Sequence, residues 1–175
     1  MKIVIVGPGA MGCLFAAFLS KSLPAGRQVK QEVWFLDKNK ERTEKINQTG
    51  IIIEGISGNW QAKIRVTVDA KDIGQADLLI IAVKSYDTKE AISQARALLT
   101  HNTRVLTLQN GIGNIEIISE VVGNEKVIGG VTNQGATLLG VGHIRHAGCG
   151  ETVIGRIDGK IPVEMRSIRE LFNKV

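Results

Sequence analysis

The sequence predicts an α/β fold, a doubly wound and mostly parallel sheet with a small antiparallel insertion. Three observations carry this: an apolar run at Lys2–Val6, a glycine-rich turn directly after it, and a sustained alternation of short apolar runs with helix-period segments. KIVIV has no polar alternation after Lys2, as expected of a strand buried on both faces. Ala10–Ser20 then carries Met11, Leu14, Phe15, Phe18 and Leu19 at three- and four-residue spacings, the stripe of a packed helix. Leu23-Pro24-Ala25-Gly26 breaks that helix, and a polar stretch to Gln31 leads into a second strand at Glu32–Leu36. Strand, helix and strand form a βαβ unit, because parallel neighbours need a crossover. Residues 38–49 are charged and helix-compatible. Residues 51–54 and 60–68 read as strands joined by Ser57-Gly58-Asn59, and this pair is the antiparallel insertion. The most apolar strand spans 77–83, followed by a helix over 88–99, a strand over 104–108 and a helix over 115–122. A glycine-rich β segment fills 127–155. Pro162 suits the first turn of a last helix over 163–174, where Met165, Ile168, Leu171 and Phe172 share a face.

Composition narrows the function. With 43% apolar and 22% charged residues in 175, the chain has the makings of an ordinary core and not those of a disordered or fibrous protein. Its net charge of +5 is spread along the sequence, which favours anionic ligands in general. Four Phe, two Trp and one Tyr, without basic-aromatic interleaving, argue against nucleic acid. The apolar opening run is too short for a membrane span or a signal peptide, and two unpaired-looking cysteines, Cys13 and Cys149, fit a reducing interior. A cytoplasmic protein, off the membrane, is expected.

The chemistry begins at Gly7-Pro8-Gly9-Ala10-Met11-Gly12, a G-x-G-x-x-G pattern between a strand and a helix. In a Rossmann-type unit Gly7 permits the tight turn, Gly9 lets a pyrophosphate approach the backbone, and Gly12 lets the helix pack closely. The helix N-terminus then offers N–H groups to the phosphates. The plainer reading is a glycine turn. Asp37, at the end of the second strand, is placed to accept from the adenosine ribose, which favours NAD and repels the extra phosphate of NADP. Lys38, Lys40 and Arg42 follow and could hold that phosphate, while Asp37 could equally be a helix N-cap. Lys84 and Asn110 end the third and fourth buried runs, at the sheet edge where such folds bind ligands. An ammonium there suits a phosphate or carboxylate, and an amide suits a nicotinamide or a substrate oxygen. Their plainer readings are a solvated lysine and an Asn-Gly turn. His143 and His146 near Cys149 lack a fourth ligand for a closed zinc site, so no metal is expected. Ser85 and Ser93 have no histidine-acid framework, which argues against a hydrolase.

Together GPGAMG after KIVIV, AVKSYDT at Lys84, LQNG at Asn110 and HIRHAGCGETVIG resemble the 2-dehydropantoate 2-reductase, or ketopantoate reductase, family over nearly the whole chain. The resemblance implies NADPH-dependent reduction of 2-dehydropantoate, a 2-oxo acid, to pantoate on the way to pantothenate and coenzyme A. It places Gly7, Gly9 and Gly12 in the phosphate loop, and Lys84 and Asn110 in the catalytic cleft. Asp37 stands where the family often has an arginine for the NADP phosphate. The family's helical C-terminal domain, which brings a general-acid lysine, is expected to be absent here. Residues 1–160 would then be the dinucleotide-binding domain and 161–175 the start of a connecting helix. The apolar face of that helix, uncovered, is expected to promote self-association into a homo-oligomer. Another 2-oxo or 3-hydroxy acid dehydrogenase, or a non-catalytic dinucleotide-sensing module, shares the same nucleotide signals.

Overall fold

The computed structural model describes residues 1–21 and 31–173. The helix break read at 23–26 and the polar stretch after it, up to residue 30, lie outside the described residues, as does Lys174. β1 (Lys2–Val6), α1 (Ala10–Ser20) and β2 (Glu32–Leu36) form where the sequence places them, with β1 and β2 parallel and Ile3 opposite Val33. There follow α2 (Lys40–Thr49), β3 (Ile51–Gly55), β4 (Trp60–Ala62), β5 (Arg65–Thr67), β6 (Leu78–Ile81), α3 (Thr88–Gln94), β7 (Arg104–Thr107) and α4 (Asn114–Val122). β8 (Val127–Thr132), β9 (Gly135–Gly140), β10 (His143–Gly148), β11 (Thr152–Arg156) and α5 (Val163–Phe172) complete the order.

Seven strands make the main sheet in the order β11-β8-β7-β6-β1-β2-β5, and β11 alone runs antiparallel to its neighbour. The continuous apolar runs have a simple cause. Ile3 and Ile5 of β1, with Leu78 and Ile80 of β6, point into one core under α1 and α5, while Val4, Val6, Leu79 and Ile81 point into the other under α3 and α4. Each such side chain contributes roughly 1.5–3 kcal/mol by leaving water. From β1 the chain goes to β2 on one side and later returns to β6 on the other. The carboxyl end of β1 is therefore the point where strand order reverses, and open α/β sheets leave a crevice there.

Three expectations are corrected. The run 60–68 is two strands: β4 pairs antiparallel with β3, whereas β5 extends the main sheet parallel to β2. A lone β3–β4 hairpin would be marginal, and β10 and β9 join it to give a second sheet ordered β4-β3-β10-β9 over α1. The helix read over 88–99 tightens after Gln94 into a 3₁₀ turn, Ala95–Leu98, which buries both Ala95 and Leu98. Finally, the apolar face of α5 is covered by the chain's own core. Met165, Ile168, Leu171 and Phe172 are buried, and Phe172 meets Phe15 of α1 at 5.5 Å, so this face is not available to drive self-association. Among the described residues no helix is long and apolar enough to cross a membrane.

Candidate functional site

The glycine loop sits at the carboxyl end of β1. Gly7 has φ +99°, and its N–H donates to the Leu36 carbonyl at 3.2 Å, which turns the chain over the end of β2. A Cβ on Gly7 would lie 2.6 Å from Val83 Cγ1, and one on Gly12 would lie 2.2 Å from the Gly7 carbonyl oxygen. The fold itself demands both glycines. Gly9 is different, with φ −77° and nothing nearer to a Cβ than the Ala82 carbonyl oxygen at 4.0 Å. It borders a cleft of about 590 Å³ that is also lined by Pro8, Ala10 and Met11. Gly9 is the N-cap of α1 and has no capping side chain, so the first-turn N–H groups, at the positive end of the helix dipole, lack intrahelical acceptors beside the cleft. Behind them, burial pushes the Cys13 thiol up to about 12, and its Sγ donates to the Pro8 carbonyl at 3.5 Å.

At the β2 edge of the cleft, Asp37 is 3% exposed. Both its oxygens accept from Arg42, one from Nε and one from Nη2, and this hydrogen bonding raises the Arg42 pKa further. Asp37 is not the helix cap. That role falls to Asn39, whose Oδ1 accepts from the Arg42 N–H at 2.8 Å. Lys38 reaches across the cleft to Glu90 at 2.9 Å and Asp87 at 3.0 Å, and these bonds, the Glu90 one foremost, hold its ammonium above the usual lysine range.

Lys84 and Asn110 line the far part of the same cleft, both exposed, on the loops after β6 and β7. A buried polar relay beneath them was not read from the sequence. Gln109 Nε2 donates to the Val83 carbonyl at 2.8 Å and to Thr88 Oγ1 at 2.9 Å, while its Oε1 accepts from Thr107 Oγ1 at 2.9 Å. Thr88 Oγ1 donates onward to Asn114 Oδ1 at 2.9 Å, and Asn114 Nδ2 donates to the Asn110 and Gly111 carbonyls at 3.1 and 3.3 Å. The relay ties the backbone beside Lys84 to the backbone of Asn110. Its one sequence signal is position, since Thr88 and Asn114 open α3 and α4, and Gln109 precedes the singled-out Asn110. Tyr86, 83% exposed at the cleft rim, was also missed and offers a stacking face.

Elsewhere, His143 and His146 stand three apart on β10 and so face opposite sides of its sheet. His146 is buried, with Nε2 2.9 Å from both Gln134 Oε1 and the Gly148 carbonyl and its ring edge-on to Phe18. His143 turns outward to Glu54, which also pairs with Arg145. Cys149 is exposed.

A family model described as ketopantoate reductase PanE/ApbA matches residues 3–159. The chain belongs to the ketopantoate reductase family. It is 34% identical to the 2-dehydropantoate 2-reductase of Halobacterium salinarum and 35% identical to that of Aquifex aeolicus, in each case over 99% of this chain and 55% and 53% of the relative. Among solved structures, the 2-dehydropantoate 2-reductase of Geobacter metallireducens superposes with a TM-score of 0.86 at 27% identity, over 99% of this chain and 55% of that one. D-mandelate dehydrogenase, in a ternary structure with NADH and anilino(oxo)acetate, gives 0.83 at 27%, over 99% and 53%. The chain thus spans about half the length of these ketopantoate reductases.

Proposed function

We propose that this chain is the dinucleotide-binding half of a cytoplasmic reductase that uses NADPH to convert 2-dehydropantoate to pantoate, in the synthesis of pantothenate and coenzyme A. The observation that carries this reading is Gly9. No contact among the described residues and no dihedral requires a glycine there, and the space a Cβ would take is the space a diphosphate needs beside free helix N–H groups. Family membership supports the same assignment.

Residues 1–160 form the dinucleotide unit in this reading, with α5 starting the connection to a second domain. Bound dinucleotide supplies hydride from its reduced nicotinamide. The loop from Gly7 to Gly12 holds the pyrophosphate through main-chain N–H groups. Lys84 presents a positive charge to the carboxylate of the 2-oxo acid, and Asn110 presents an amide that orients the nicotinamide or the substrate carbonyl. Hydride arrival at a ketone carbon leaves negative charge on its oxygen, and a proton must reach that oxygen. The family resemblance assigns this proton to a lysine of the second domain, so the chain alone is expected to bind dinucleotide without turnover. The likeness to D-mandelate dehydrogenase favours, as a second reading, reduction of a different 2-oxo acid on the same scaffold.

Calorimetric titration with NADPH and NADH tests binding, and turnover with a panel of 2-oxo acids, after a reductase C-terminal half is supplied, tests the substrate. Binding with 2-dehydropantoate as the preferred substrate is expected. A folded chain that takes up neither dinucleotide would overturn the proposal.

A further inference from the structure

A second cavity, of about 600 Å³, lies between β11 and α5 and shares no lining residue with the cleft. That volume falls within the roughly 300–1,000 Å³ of small-molecule sites. Ile154 of β11, with Met165 and Phe172 of α5, gives it an apolar wall. Its charge is one-sided, because Arg156, Lys160, Arg166 and Arg169 line it against a single carboxylate, Glu151. Two other carboxylates close by are engaged, Asp158 by Arg156 and Glu164 by Arg104. Among the described residues no carboxylate pairs with Lys160, Arg166 or Arg169. Arg166 and Arg169 stand three apart on α5 and so share one side of it. Arg156 keeps a donor in reserve, since its Nε is buried with no partner among the described residues.

Gly155 adds an independent observation. It belongs to β11, an edge strand of the main sheet, and lines the cavity. A glycine weakens a strand, and one inside a strand often marks a close approach by a ligand. Gly155 does not have a left-handed φ, and a Cβ there would meet nothing within 4 Å. Nothing among the described residues requires the missing side chain. We propose that the β11–α5 cavity is a second ligand site of this chain and takes an amphipathic anion, a carboxylate or phosphate ester carried on an apolar body. The body lies against Ile154, Met165 and Phe172 in the space that Gly155 leaves open. The head group meets the guanidinium groups of Arg166 and Arg169, and Lys160 adds to the positive field.

The two sites share no residue, so this one stands whether or not the cleft takes a dinucleotide. The probe is 8-anilinonaphthalene-1-sulfonate, an aromatic anion that fluoresces when it leaves water. Saturable binding to the folded chain is expected, weaker at high salt. Octanoate and octyl phosphate should displace the probe, and the stronger of the two identifies the head group, whereas octanol should displace it far less and NADPH not at all. R166Q/R169Q, at two exposed positions, should keep the wild-type melting point and lose about tenfold in probe affinity. Gly155→Val should fill the cavity and abolish binding, and if it does not fold the arginine variant decides. The proposal is overturned if the folded wild type shows no saturable binding, if NADPH displaces the probe, if octanol competes as well as octanoate, or if either folded variant binds as wild type does.

Discussion

Replacing the three loop glycines one at a time by alanine separates what the fold needs from what a ligand needs. In Gly12→Ala the new Cβ lies 2.2 Å from the Gly7 carbonyl oxygen, a backbone atom, so α1 and the loop must move apart. Overpacking of this kind costs about 1–3 kcal/mol. Gly7→Ala combines a left-handed φ of +99° with contacts at 2.6 Å to Val83 Cγ1 and 3.1 Å to Val83 N, for a similar or larger cost. At roughly 2–4 °C per kcal/mol for a chain of this size, both variants should melt about 2–12 °C below wild type. Gly9→Ala meets nothing closer than 4.0 Å and keeps an ordinary φ; a less flexible unfolded chain favours it and poorer N-capping by alanine opposes it, each by up to about 1 kcal/mol, so its stability should stay within about 1 kcal/mol of wild type. Its methyl nevertheless enters the cleft beside N–H groups that must come within about 3 Å of phosphate oxygens, and about tenfold or more of the affinity should go. Thermal denaturation with and without saturating NADPH reads both quantities, because a ligand that binds only the native state raises its melting point. Gly9→Ala should stay near the wild-type melting point and lose most of the ligand-induced rise. If it melts as low as Gly12→Ala, or binds as wild type does, the division of roles among the glycines is wrong.

Four further outcomes follow from the same geometry. Gln109→Met removes the side-chain donor to the Val83 carbonyl and Thr88 Oγ1 and the acceptor for the Thr107 hydroxyl, and should cost about 1–3 kcal/mol in chemical denaturation, whereas Asn110→Ala, whose side chain lies outside the relay, should stay within about 0.5 kcal/mol. Lys84→Met should leave melting unchanged, because the side chain is exposed, but weaken dinucleotide or 2-oxo acid binding and reduce its salt dependence, as calorimetry at two ionic strengths would show. Mass spectrometry after alkylation at pH 8 should find Cys149 modified and Cys13 untouched until the chain unfolds, since a thiol at about 12 holds on the order of 10⁻⁴ thiolate at that pH. The Glu164 carboxyl is held below its usual value of 4.5, chiefly by the Arg104 guanidinium at 2.6 Å. A lowered folded value means the pair's contribution is complete above the unfolded pKa and disappears as pH falls through the folded one. Glu164→Gln should therefore lower melting at neutral pH and flatten the decline in acid.

What could be read from the sequence was local. β1, α1 and β2 form at the expected residues because a doubly buried strand, a glycine turn and a helical stripe each announce themselves within a dozen positions. The fate of 60–68 was not local. Whether Val66 extends β2 or a hairpin depends on which distant strand is available, and only the arrival of β10 beside β3 makes the second sheet large enough to keep β4. The α5 face was misread for a similar reason, since its stripe says that something covers it but not that Phe15 of α1 does. Asp37 shows the same limit in the candidate site. Its position at a strand end was legible, but its partner lay five residues along among three cations, and which of them turned inward depended on Asp87 and Glu90 taking Lys38 from across the cleft.

The two ends of the cleft are accordingly specified by different physics. In the proposed reading the phosphate end needs only backbone, so six consecutive residues encode it and any chain that folds the same turn reproduces it. The far end needs side chains at two strand edges held in register, and here that register comes from Gln109, Thr88 and Asn114, which join loops more than twenty residues apart in sequence. Exchanging this relay can move Lys84 and Asn110, while the glycine loop keeps a support of its own in the Gly7 N–H bond to the Leu36 carbonyl. On the proposed function, related nucleotide domains can therefore keep one cofactor grip while their 2-oxo acids differ. Differences in substrate choice between this chain and a relative should accordingly map to the relay and to the loops it braces, while substitutions in the glycine loop should scale dinucleotide binding alike whatever the acid.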